Sequence, residues 1–143
     1  MVNDSDPLAY TVKRTQQAIR QAMDKALSDV GLTTPQYAAL SELAKDRGLS
    51  NAELARRCFV TPQTMHQIIN GLEVRQLLNR SPHPEHGRIQ QIKLSKQGES
   101  LLKEGHEHVR EVERKMTDGL SKSAVAEVNK LLVRCCKMLE EMT

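Results

Sequence analysis

At 143 residues the chain is long enough to bury one real core and too short to expect two. Its 21 Lys and Arg against 18 Asp and Glu leave a formal charge of only +3, so the distribution of charge carries more information than the total. With three cysteines, no apolar run of membrane-spanning length and no secretory leader, neither a disulfide-stapled module nor a membrane protein is expected, and a soluble cytoplasmic chain is.

From Pro7 to about Val30 the apolar residues Leu8, Val12, Ile19, Met23 and Leu27 recur at helical spacing, and Gly31 closes the segment. Thr34-Pro35 is the next helix start, with Tyr37, Leu40 and Leu43 on the inward side. A third start follows at Ser50, whose hydroxyl suits an N-cap while Glu53, three residues on, reaches back to the serine N–H. Cys58-Phe59-Val60 then meets Thr61-Pro62, with threonine at the cap and proline in the first turn, where its missing N–H costs nothing. Leu54, Ala55, Cys58 and Val60, followed by Met65, Ile68, Ile69 and Leu72, have the spacing of a helix-turn-helix, whose second helix is shaped for a DNA major groove.

At about 100° per residue the stripe Met65, Ile68, Ile69 and Leu72 leaves Gln63, Gln67 and Asn70 on the opposite face, with Thr64 and His66 on the flanks. That face hydrogen-bonds but carries little charge. Amides pair with adenine edges and threonine touches a base or a thymine methyl, so the pattern fits base readout better than phosphate neutralisation. The same residue types also serve as ordinary solvent-facing side chains.

Leu77 to Ser81 and Ile89 to Leu94 read as two short strands, with a bulge or twist needed for clean alternation. Between them Pro82, Pro84 and Gly87 forbid helix and hold Arg88 near the tip. A hairpin beside a helix-turn-helix is a wing, and Arg88 is the candidate for a narrow minor groove, where negative potential is strongest. Residues 50 to 96 contain seven basic and three acidic side chains, the cations being Arg56, Arg57, Arg75, Arg80, Arg88, Lys93 and Lys96. The flanking thirds are balanced or slightly acidic. This is the footprint that a polyanion requires. The DNA-facing set is therefore Ser50, Thr61, Pro62, Gln63, Thr64, His66, Gln67 and Asn70, with Arg80, His86 and Arg88 from the wing.

Leu101, Leu102, Val109, Val112 and Met116 continue a helical stripe from Ser95 onward. After Gly119 a last helix carries Val125, Val128, Leu131, Leu132, Cys135, Met138 and Leu139. The helix-turn-helix cannot cover all of this apolar surface, so self-association through the terminal helices is the economical solution, and a two-fold dimer presents two recognition helices to a palindrome. Adjacent Cys135 and Cys136 point to different sides of a helix and make neither an ordinary disulfide nor a metal knuckle, and Cys58 reads as a small core residue. His83 and His86 in the wing, and His106 and His108 read as helix surface, lack a third ligand at suitable spacing, so no metal is expected. No phosphate-binding glycine loop, zinc-protease histidine pair or nucleophile elbow is present; no cofactor or catalytic role is expected.

Leu49-Ser50-x-x-Glu53-Leu54-Ala55, Thr61-Pro62-Gln63-Thr64-Met65, Leu72-Glu73, Leu78-x-Arg80, Gly87-Arg88 and Ile92-Lys93-Leu94-Ser95-x-x-Gly98 together resemble the multiple antibiotic resistance regulator, or MarR, family in order and spacing. The wing departs from the family: His86 stands where an acidic residue is frequent, and Gly87 where an arginine is common. The resemblance implies a mainly α fold with a small β-hairpin wing. Residues 33–95 would be the winged helix-turn-helix lobe of a single domain spanning 1–143, and residues 7–31 and 96–142 the dimerisation helices. It also implies a homodimeric transcription regulator of double-stranded DNA, most often a repressor, released by a small phenolic or other aromatic effector. Arg14, Met23 and Tyr37 would line the effector cleft by that resemblance. A winged-helix module that binds protein or coats DNA without sequence preference stays open beside it, as does an unrecognised enzyme.

Overall fold

The computed structural model describes residues 1–143. Six helices and one hairpin follow in the order α1 (Leu8–Ser28), α2 (Thr34–Lys45), α3 (Asn51–Arg57), α4 (Pro62–Val74), β1 (Leu78–Pro82), β2 (Gln90–Leu94), α5 (Lys96–Met116) and α6 (Lys122–Glu140). The helix starts obey local chemistry. Thr33 and Ser50 each form a reciprocal capping box, with Gln36 and Glu53 respectively, and Thr61 Oγ1 accepts from the Thr64 amide. Proline stands in the first turn of both α2 and α4.

Two compact units divide the chain, Met1–Val112 and Glu113–Thr143. The first has a core without a single buried polar or charged residue: Leu27 from α1, Leu40 and Leu43 from α2, Leu54 from α3, Met65, Ile69 and Leu72 from α4, and Leu78 and Ile92 from the hairpin. Cys58 packs half-buried against it. Each fully covered leucine or isoleucine contributes about 1.5–3 kcal/mol of transfer free energy, which is why the short α3 and α4 hold although neither would persist alone. The second unit contains α6, in which no residue is buried. No helix is long and apolar enough to cross a membrane.

β1 and β2 pair antiparallel in simple register, Leu78 opposite Leu94 and Arg80 opposite Ile92. The expectation of a bulge is corrected: Ile92 is buried and Leu94 half-buried while Lys93 is exposed, so the pleat alone separates the faces. Ile92 also donates its N–H to the Leu49 carbonyl at 3.0 Å, so the segment before α3 adds a third short rung beside β2. At the other end of the hairpin, α5 starts hard against it. Ser95 Oγ accepts from the Gly98 amide and donates to the Gln76 carbonyl, and Gly98 is buried under Leu77.

Two non-glycine residues have left-handed backbone, Phe59 at φ 57° between α3 and α4 and Gln76 at φ 61° between α4 and β1. Both mark sharp reversals. Phe59 turns its ring almost wholly to solvent, so the turn of the helix-turn-helix is held by its flanks and not by this side chain.

Candidate nucleic-acid interface

Burial of Met65, Ile69 and Leu72 fixes the roll of α4 about its axis, and the roll decides what the helix presents. Gln63, Thr64, His66, Gln67 and Asn70 are all exposed. Gln63, Gln67 and Asn70 follow one another at four and three residues, so they lie on one stripe opposite the apolar one. The base-reading face inferred from periodicity therefore faces solvent. Ser50, Thr61 and Pro62 do something else first. Ser50 is half-buried and its hydroxyl both accepts from the Glu53 amide and donates to the Glu53 carboxylate. The Thr61 oxygen caps α4, and the carbonyl of Pro62 accepts from the Asn51 amide at 3.0 Å, joining the starts of α3 and α4. These residues set where α4 begins, and hence which amides reach furthest.

The wing is ordered by its own histidine. Nδ1 of half-buried His83 accepts from the amides of Glu85 and His86, at 3.1 and 3.2 Å, while its backbone N–H donates to the Ile89 carbonyl at 2.8 Å. An accepting Nδ1 places the ring proton on Nε2. His86 lies beside it with ring centroids 5.3 Å apart, and Arg88 stands exposed on the next turn of chain. These bonds make His83 the internal staple of the tip.

The cationic footprint is smaller than its composition. Arg57 is held by Asp46 at 2.9 Å and lies 3.8 Å from Glu42, and Arg75 donates to the Gly31 carbonyl at 2.7 Å. Arg80 turns back onto α4, donating through Nη2 to Asn70 Oδ1 with its Nε 3.3 Å from Glu73 Oε2. Arg56, Arg88, Lys93 and Lys96 are exposed without such ties. Glu73 was missed as a site residue, although it stands one helical turn beyond Asn70.

The three residues assigned to an effector cleft separate in character. Met23 packs half-buried against the core and Tyr37 does the same, whereas Arg14 is exposed and lies about 13 Å up α1 from Met23. Tyr37 has a partner that no local signal announced: its hydroxyl is 2.5 Å from His106 Nδ1, and the two rings meet edge to face at 5.4 Å. Reading His106 as helix surface is therefore corrected. Gly105 makes room for this contact, since a methyl there would lie 3.1 Å from the tyrosine ring. Burial pushes the Tyr37 hydroxyl above its ordinary pKa, against a smaller opposing pull from the Ser41 hydroxyl beside it on α2. Elsewhere an open hollow of about 370 Å³ lies among Leu43, Ala44, Arg47, Lys93, Leu94 and Glu99, away from Met23 and Tyr37.

A family model described as the MarR family matches residues 30–89. The HTH-type transcriptional repressor Rv2887 of Mycobacterium tuberculosis is 33% identical over 129 residues, covering 90% of this chain and 93% of that protein. The crystal structure of Rv2887 in complex with DNA has a TM-score of 0.78 at 30% identity, covering 92% of this chain and 98% of that one. Its complex with salicylic acid gives a TM-score of 0.75 at 31% identity, covering 94% and 99%. A winged helix-turn-helix with an outward amide stripe, and such identity over nine-tenths of the sequence, place the chain in one group: it belongs to the MarR family.

Proposed function

We propose that this chain is a sequence-specific transcriptional repressor acting in the cytoplasm, without catalysis of its own, as a homodimer on a palindromic operator. One observation carries the proposal: packing turns Gln63, Gln67 and Asn70 outward on α4 while the adjoining hairpin holds Arg88 bare at its tip. Support comes from Rv2887, a repressor by name that has been crystallised with DNA. In this reading residues 33–95 form the DNA-binding lobe. Its α4 lies in the major groove, where free amides pair with base edges, and the wing reaches the neighbouring minor groove. Ser50, Thr61 and Pro62 position α4, Thr64, His66 and His86 make flanking contacts, and Arg88 supplies the cation. Residues 7–31 and 96–142 join the protomers.

Release by a small aromatic acid completes the proposal, supported by the crystallised complex of Rv2887 with salicylic acid. Met23, Tyr37 and Arg14 are the residues assigned to that ligand, with His106 added through its bond to Tyr37. A ligand releases DNA only by binding the released arrangement more tightly than the bound one.

Fluorescence anisotropy against an operator selected from random duplexes tests the DNA contacts. Gln67→Ala should cost about 1–3 kcal/mol per half-site of the selected operator and relax one base position in each. Arg88→Ala should weaken all duplexes alike and lower the salt slope by about 2 for two wings. Unchanged operator binding in both variants would remove the assignment.

A further inference from the structure

The wing and the recognition helix are joined by three side chains whose hydrogen-bonding capacities do not match what a free asparagine would offer DNA. Asn70 and Glu73 stand one turn apart on α4, and Arg80 reaches back to both from β1. Its side chain is only 22% exposed, which leaves it little freedom to contact phosphate. A guanidinium has donors and no acceptor, so the asparagine amide must turn its oxygen to Arg80. The Nδ2 group remains for any outside partner. Pairing with adenine requires both ends of the amide, an acceptor for the N6 amino group and a donor to N7. Arg80 engages that oxygen from the protein side and so fixes the amide with its Nδ2 outward, away from the orientation that the adenine pair needs. Gln63 and Gln67, on the same stripe, keep both ends free.

We propose that Arg80 is a positioning residue that sets base specificity: by holding Asn70 Oδ1 it turns the Nδ2 donor outward, favouring guanine, whose N7 and O6 both accept, over adenine, whose N6 amino group needs the amide oxygen. Glu73 cancels the charge of Arg80, so the clamp fixes the angle between wing and helix without adding attraction for phosphate. This rests on the DNA-binding role proposed above.

Selection from a random duplex pool by the full-length protein, with Asn70→Ala and Arg80→Met in parallel, is the test. Wild type should enrich guanine at a symmetry-related pair of positions, and Asn70→Ala should lower discrimination there by about five-fold. Arg80→Met keeps length without donors and frees the amide oxygen, so preference at those positions should move to adenine. Should that variant fold poorly by circular dichroism, Arg80→Lys still donates to Oδ1 and should retain the wild-type base. Adenine or thymine in the wild-type site at the position Asn70→Ala relaxes, no position relaxed by Asn70→Ala, an unshifted preference in folded Arg80→Met, or a lost preference in folded Arg80→Lys each overturns the proposal. The clamp is also visible without DNA, as a slowly exchanging Arg80 guanidinium proton in NMR that Asn70→Ala releases; its absence overturns the proposal independently. A pool in which wild type enriches nothing while that proton stays protected overturns the repressor reading, and the base assignment with it, for want of DNA recognition and not of the clamp.

Discussion

Asp24 shows how one carboxylate ties two helices together. The Thr34 hydroxyl donates to it at 2.5 Å and Arg20 lies 3.2 Å away, and the threonine bond above all holds its carboxyl below the ordinary carboxylate range. A depressed folded pKa means that this stabilisation is complete above the unfolded value, about 3.9, and disappears as pH falls through the folded one. Asp24→Asn should therefore melt below wild type at pH 7, and the gap should close on acidification below about pH 4. Thermal melts across that range check it, and a gap independent of pH would count against the assignment. Cys58 behaves oppositely for an opposite reason: burial raises its thiol pKa, leaving it a protonated packing group.

Among the elements, the joint between hairpin and α5 is the tightest. A methyl in place of the Gly98 hydrogen would lie 2.0 Å from the Leu77 carbonyl oxygen, a backbone atom that cannot rotate away. Gly98→Ala should cost at least about 3 kcal/mol, a fall in Tm of roughly 10 °C. A melt within a degree or two of wild type would show that the joint can open. Elements governed by neighbours in sequence were legible beforehand. The caps at Ser50 and Thr61, the inward stripe of α4 and the hairpin punctuated by Pro82, Pro84 and Gly87 all rest on contacts within a few residues. Contacts between distant segments were not legible. Tyr37 and His106 are 69 residues apart, and the link from Arg80 to Asn70 and Glu73 exists only because the hairpin folds back onto α4. For the same reason the basic middle third overstated the cations available to DNA. Sequence supplies the number of arginines, and tertiary placement decides which are already engaged.

For the whole molecule, α6 is the element with most left unexplained by its own chain. Val128, Leu131, Leu132 and Leu139 share a stripe and are each at least 40% exposed. In the proposed homodimer such a stripe is the contact surface. Leu132→Glu should turn a dimer into a monomer in analytical ultracentrifugation and reduce operator affinity at least about 100-fold, because each protomer then holds a single half-site. A variant that stays dimeric would place the contact elsewhere.

In the proposed homodimer, a helix clothed only by a second copy would make this protein a gauge of its own abundance. When few molecules are present, paired ones form as the square of their number, so occupancy of a gene would rise more steeply than synthesis, and halving production would cost more than half the repression. The bare leucines of α6 would thus give a threshold to a circuit whose reading head is graded.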